Sequence, residues 1–533
     1  MPFRLPWFRN PRTLLCFTAA LLALVVQSGE LGSSDTMHRL QTTHSFWTSE
    51  PPVFPNEYPE FGVHGRGGRL YGWYGIGQSL LMLPADIIGT WIERISIFND
   101  YNGNDPSVRN IFVTCTTQML INVLTALVCL YFLQLLGFTI QQSVAGVLAL
   151  LFCTTHLHYT QNMMENNYIM LLTLTGLTFQ YEWAQTGSRR ALLIGSFAFG
   201  LNLLTRLTTG LDLIAGGVFV LLVLWWEQHL PGGHLWDRLL TYAKAAFPIY
   251  AIFFLIDRLY QYYRFGSFFN TYISVVAKEY HQLNPALPPN YPWETPFHVG
   301  FLGPLLTPEK SIFLFDPLVI LTILVVVLAW KWFSSATKAY VITAFLVLAA
   351  YICFYARYTV WSGDFAWGDR YVSTSVELAA FISVPLLMRY RQQLGKAVWR
   401  TGIALIAAST LIQIASLAFW LPLEIYQMET LGHPTFVVAL RFKNIVAFAL
   451  GKMDQWGLNN VPMTQDPWDY VHITTWNFLP FVLRRVGEAP AWVVKIVFAI
   501  WIAALAALGL TLWQLRKTLL TRPASAISII AAV

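Results

Sequence analysis

Twelve apolar runs recur along the chain, near 13–29, 109–136, 139–156, 163–182, 190–205, 208–226, 241–259, 311–332, 338–357, 371–389, 399–420 and 493–515. A run of roughly 20 apolar residues matches the thickness of a bilayer core. Backbone polar groups buried there must be paired within their own segment, which favours helices. The predicted fold class is therefore an all-α polytopic membrane protein, with about 12 transmembrane helices and large outer loops. Composition agrees: 56% of the 533 residues are hydrophobic and 12% are charged, about half the charged share of a soluble domain. Disorder and a disulfide-rich secreted scaffold are excluded by the same balance. Cys16, Cys115, Cys129, Cys153 and Cys353 all fall in apolar runs without a CxxC pair, and read as small buried hydrophobes.

A further run, 77–95, carries Pro84, Asp86, Glu93 and Arg94. Loop charge decides where it goes. If it lies on the membrane as an amphipathic helix, the short loops on the amino-terminal side hold Arg4, Arg9, Arg12, Arg189, Arg190, Arg238, Lys244, Lys331, Lys338, Arg389, Arg391, Lys396, Arg400, Arg516, Lys517 and Arg522. Against these sixteen stand only Glu182, Glu227 and Asp237. Basic short loops mark the cytoplasmic side. The expected location is the inner (cytoplasmic) membrane, multi-pass, with both termini in the cytoplasm. The net charge of +6 follows from this bias; no arginine-rich tract or aromatic RNA-binding motif points to nucleic acid. The first run follows a basic head, as a signal peptide does, but no A-x-A-like site precedes Glu30, so it is read as retained. The expected organisation is a core over 1–420 with outer loops 30–108 and 260–310, an outer region 421–492, and a last span and cytoplasmic tail over 493–533.

Elaborate loops on one face, and short basic connectors on the other, place the work on the loop face. The first outer loop opens Glu30-Leu-Gly-Ser-Ser-Asp35, with Ser34 or Asp35 as the expected cap of a short helix. Asp35 can take a proton from an acceptor hydroxyl or serve only as that cap. In His156-Leu-His158-Tyr-Thr-Gln-Asn-Met-Met-Glu165, the second acid can orient an acceptor or bind a divalent cation through oxygen. Asp35, Glu165 and His158 are the candidate ligands of a Mg or Mn ion. Arg206, Arg258, Arg264, Lys310, Arg357 and Arg370 lie on the same face; converging guanidinium groups suit a phosphate. Trp361 and Trp367, with Tyr74, offer flat faces for a sugar ring, the alternative being an interfacial aromatic belt. No Walker A motif, nucleotide-type glycine fingerprint, GxSxG or HExxH occurs, so no nucleotide cofactor is expected.

Several ordered pieces complete the pattern: Gly68-Arg-Leu-Tyr71-Gly-Trp-Tyr74-Gly-Ile-Gly77-Gln-Ser79-Leu-Leu-Met-Leu-Pro84, Arg264-Phe-Gly-Ser, Gly303-Pro-Leu-Leu-Thr-Pro308-Glu-Lys310-Ser, Phe315-Asp-Pro317 and Trp367-Gly-Asp-Arg370-Tyr371. Over residues 13–390 the chain resembles the GT-C superfamily of integral-membrane glycosyltransferases, which includes the protein O-mannosyltransferases of glycosyltransferase family 39 and the lipid A aminoarabinose transferase. The resemblance implies a polyprenyl-phosphate sugar donor and a glycan, lipid or protein acceptor. It makes Asp35 the catalytic base, Glu165 the second acid, and Arg370 with Arg206 or Arg264 the donor-phosphate residues. Relatives commonly carry Gly-Pro-Arg-Tyr where this chain has Gly368-Asp369-Arg370-Tyr371, which sets an acid beside the phosphate arginine. The rival expectation is a lipid or polysaccharide transporter without transferase chemistry. It would need a polar path through the spans, where Asp212 and Glu377 are the main acids.

Overall fold

The computed structural model describes residues 10–54, 62–101, 103, 105–227, 234–364, 366–420, 422–429, 431–453 and 471–521. Arg4, Arg9 and Arg522 of the loop-charge count, and the tail past 521, lie outside the described residues.

Helix occupies each of the twelve apolar runs. Among the described residues six helices are long and apolar enough to cross a membrane: Val108–Leu135, Leu207–Trp226, Leu235–Phe265, Ser335–Tyr355, Arg391–Ser416 and Ala491–Thr521. Pro11–Val26, Ile140–Cys153 and Leu318–Trp332 are shorter apolar helices. The run 371–389 is divided into Ser373–Ala380 and Ser383–Arg389. The described strands form one two-residue hairpin, Val63–His64 against Leu70–Tyr71. Local signals set the helix starts. Ser107, Thr139, Ser188 and Ser334 each accept a hydrogen bond from a backbone N–H of the turn they cap, and losing such a cap costs about 1 kcal/mol.

The main core joins spans distant in sequence. Phe132 meets Tyr340 edge-on at 4.9 Å and Phe219 at 6.3 Å, and all three are fully buried.

The ambiguous run forms the helix Gly77–Glu93, packed on Val108–Leu135. Of its charges Asp86 faces inward, Glu93 is half-buried and Arg94 is exposed. Asp86 is fully buried and bonds His44 Nδ1 at 2.9 Å, Trp47 Nε1 at 2.8 Å and Arg109 Nε at 2.5 Å. Leu80, Ile88 and Trp91 are exposed on this helix.

Past the helix Arg391–Ser416, the helices Pro422–Glu429 and Val437–Ala449 are clamped by a bidentate ion pair. Arg441 Nε and Nη2 donate to Glu424 at 2.7 and 2.6 Å, and Nη1 reaches the Ser416 and Phe419 carbonyls. Ile425, Val437 and Val438 then close over Phe315 and Trp367. Of the cysteines, Cys129 and Cys153 are buried as expected. Cys16 and Cys115 are only half-buried, and Cys353 is exposed on the helix Ser335–Tyr355.

Candidate active site

The first outer loop reaches its position through a glycine. Gly32 has φ +78°, and a β-carbon on it would stand 1.8 Å from Asn162 Oδ1. That close approach lets Thr36 Oγ1 and Gln78 Nε2 both donate to the Met163 carbonyl, at 2.6 and 3.1 Å. The helix Ser34–Ser45 is capped by Ser33, not by Ser34 or Asp35: extended Ser33 accepts from the Thr36 N–H. Asp35 thus lies in the first turn, favoured there by the helix dipole, with its carboxylate free to face the site.

Gly75 and Gly77 explain the glycine-rich stretch. β-Carbons there would come within 2.3 Å of Leu204 or Thr205 atoms, and Gly77 N–H donates to the Leu204 carbonyl at 2.8 Å. Tyr74 and Arg206 are carried by these two tightly packed segments.

Five charged groups meet. Asp35 Oδ2 accepts from Arg370 Nη1 at 2.7 Å, and Oδ1 accepts from the Tyr74 hydroxyl at 2.5 Å. Glu165 Oε2 pairs with Arg39 Nη2 at 2.6 Å, and Oε1 with Arg206 Nη2. Arg39 also lies over the Tyr74 ring at 4.0 Å, while Arg206 and Arg370 flank the ring of Tyr371 at 5.4 and 5.2 Å. Three guanidinium groups against two carboxylates leave one net positive charge. Asp35 and Arg370 keep 13% and 16% side-chain exposure, so the pair is accessible.

Burial pushes the Asp35 carboxyl up, but the Arg370 and Arg39 charges outweigh it and hold it below the ordinary carboxylate value. Burial and then the Asp35 charge raise Tyr74 well above its ordinary range, so its hydroxyl stays a donor. Beside the cluster, burial raises Asp369 to about 7 and lowers Lys310 to about 8. The Lys310 ammonium donates to the Asp364 and Ala366 carbonyls at 2.6 and 2.9 Å and so fastens the segment that ends in Arg370.

The structure brings together Asp35, Glu165, Arg206, Arg370 and Tyr74, but corrects other expectations. Arg264 is buried, donating to the Gly72 and Tyr74 carbonyls and to Gln261; it braces the Tyr74 loop and is not placed in the phosphate cluster. Trp367 is fully buried, edge-on to Phe315 and stacked on His158, so its face is closed to a sugar. Trp361 packs on Gly303, where a β-carbon would stand 2.1 Å from its ring. Tyr74 is engaged through its hydroxyl and by Arg39, so it serves Asp35 more than it offers a free face. Arg258 pairs with Asp257.

His158 bonds Asn162 at 3.1 Å, and burial followed by the Arg441 charge lowers it to about 3. No three His, Cys, Asp or Glu side chains form a metal-binding group among the described residues. All four oxygens of Asp35 and Glu165 already accept from Arg or Tyr. Paired in this way, the donor set does not fit a Mg or Mn ion.

Two groups went unread in the sequence. Arg39 stands four residues after Asp35, the helical spacing that puts both on one face. Tyr371 follows Arg370 directly and stacks on Tyr355 at 4.3 Å.

No protein-family model matches the chain, and no curated protein matches it. Among solved structures the chain is similar to the apo oligosaccharyltransferase of Archaeoglobus fulgidus, with a TM-score of 0.40 and 13% identity, covering 89% of this chain and 60% of that one. The chain therefore spans less than two thirds of that protein's length. The functional reading rests on the site itself.

Proposed function

We propose that this protein is an inverting glycosyltransferase of the inner membrane, with all twelve runs crossing and the Gly77–Glu93 helix lying on the outer surface. It takes its sugar from a polyprenyl phosphate and delivers it to an acceptor hydroxyl. One observation carries the reading: an accessible carboxylate, Asp35, lies in a cluster with one more guanidinium than carboxylate. The excess charge suits a lipid phosphate, and the carboxylate suits the acceptor's proton.

In this reading the donor phosphate takes Arg370 and Arg206 as bidentate partners. Drawing Arg370 away removes the charge that most strongly holds the Asp35 carboxyl down, so Asp35 becomes a stronger base as the donor binds. The acceptor O–H bond breaks toward Asp35, and its oxygen bonds to the anomeric carbon. The bond from that carbon to the phosphate oxygen breaks, and the lipid phosphate leaves with the electron pair. Fixed guanidinium groups stabilise its growing charge. Glu165 stays paired with Arg39 as the donor takes Arg206, and among the described residues of the cluster no further carboxylate stands free as nucleophile, which favours one displacement over a covalent intermediate.

Mass spectrometry of lipid-linked sugars and surface glycans in a deletion strain tests the reading. One polyprenyl-phosphate sugar should accumulate while one glycan loses that sugar. Unchanged pools of both would contradict it.

A further inference from the structure

Away from the charged cluster, the carboxyl-terminal end of the helix Ser335–Tyr355 borders a cavity of about 500 Å3, lined by Asn290, Trp293, Phe297, Cys353, Phe354 and Arg357. This lies within the size range of small-molecule sites, about 300–1,000 Å3. Its walls are apolar: Trp293 meets Phe354 edge-on at 5.5 Å and Tyr358 at 5.2 Å. Phe297 and Phe354 are 49% and 42% exposed, and Cys353 is exposed.

Arg357 follows two residues after the end of this candidate span and is exposed. Its carbonyl accepts from the Thr295 N–H, but among the described residues its guanidinium has no ion-pair or hydrogen-bond partner. The arginines of the charged cluster, Arg258, Arg264 and Arg441 are all engaged. The nearby acid Glu294 instead accepts from Thr359 Oγ1 at 2.7 Å. An unpaired cation at the end of a membrane-length helix, closing an aromatic trough, is complementary to a phosphate that carries an apolar tail.

We propose that this cavity holds one anionic phospholipid, with its phosphate on Arg357 and an acyl chain along Phe297 and Phe354. Its lining shares no residue with the Asp35 cluster: Tyr358, packed on Trp293, stands between the two and meets Tyr371 edge-on at 5.7 Å, and Arg206 and Arg370 lie against Tyr371. No carboxylate is among its described lining residues.

Cys353 reports occupancy directly. The full chain is placed in nanodiscs of phosphatidylcholine, with or without phosphatidylglycerol, and alkylation of Cys353 by N-ethylmaleimide is followed by peptide mass spectrometry. One cation near an anionic headgroup favours binding about fivefold, so phosphatidylglycerol should slow alkylation of Cys353. Arg357→Gln removes no internal partner and should abolish the difference in rate between the two lipids. Equal rates in the two lipids, slowing that persists in Arg357→Gln, or protection by polyprenyl phosphate but not by phosphatidylglycerol would each overturn the proposal. The readout involves no sugar transfer, so it stands or falls apart from the glycosyltransferase reading.

Discussion

Asp35 and Arg370 lie 335 positions apart in sequence, yet the carboxylate of one accepts from the guanidinium of the other at 2.7 Å. Replacing Asp35 by Asn keeps size and hydrogen-bonding shape but removes proton acceptance. Turnover should fall by about 10² or more, while protein yield stays near normal. Transfer at the wild-type rate would leave Asp35 as a first-turn residue of its helix and nothing more.

The same pair has a pH signature. Asp35 titrates below its ordinary 3.8, and a lowered carboxyl contributes stability that is present above the ordinary value and lost as pH falls through the lowered one. Thermal unfolding of wild type and Asp35→Asn should therefore converge as pH drops below 3.8. A gap that stays constant into acid would show that the ion pair contributes nothing to folding.

Arg264 and Arg206 should behave differently. Arg264→Met leaves the buried Gly72 and Tyr74 carbonyls without their donor, at about 1–3 kcal/mol for each unsatisfied group, and should lower the melting temperature. Arg206→Lys keeps a charge beside Glu165 but loses the planar fork, so activity should drop with little change in melting. Equal thermal loss in both variants would place Arg206 among the bracing residues.

The Glu424–Arg441 clamp is fully buried on both sides. Glu424→Ala strands the guanidinium and should destabilise the protein by about 3–5 kcal/mol, measured by unfolding in detergent. Because Arg441 lies 5.3 Å over the Trp367 ring, three residues before Arg370, the loosened protein should also lose transfer activity. Full activity in a destabilised Glu424→Ala protein would separate the clamp from the site.

The helices were legible because bilayer thickness and backbone pairing leave few alternatives to an apolar run. The gathering of Asp35, Glu165, Arg206 and Arg370 was legible because charge at one set of helix ends has few places to go. Arg39 was equally readable from its spacing to Asp35. The fates of Trp367 and Arg264 were not. Whether an aromatic face stays open depends on what folds over it, and the cover here comes from Phe315, Ile425 and Arg441, none of them a sequence neighbour. Likewise, Arg264 differs from Arg206 in finding backbone carbonyls and Gln261 in place of a carboxylate, a distinction that packing makes and composition does not. His158 was misread for the same reason: Trp367 and Arg441 close on it and keep it neutral.

Orientation underlies the proposal and is separately measurable. In a Cys-free background, Arg66→Cys, Arg189→Cys and Arg391→Cys place thiols at exposed positions. An impermeant maleimide should label only the first in intact cells. Labelling at 391 with none at 66 would invert the topology.

The most direct measurement is release of polyprenyl phosphate from a polyprenyl-phosphate sugar by the purified full chain, in wild type, Asp35→Asn and Arg370→Lys. The wild type should release lipid phosphate in step with sugar transfer, and both variants should be slower by about 10²–10³. Binding of the polyprenyl phosphate product should weaken in Arg370→Lys and survive in Asp35→Asn. A purified protein that moves lipid across liposomes, yet never releases polyprenyl phosphate from any such donor, would contradict the transferase reading.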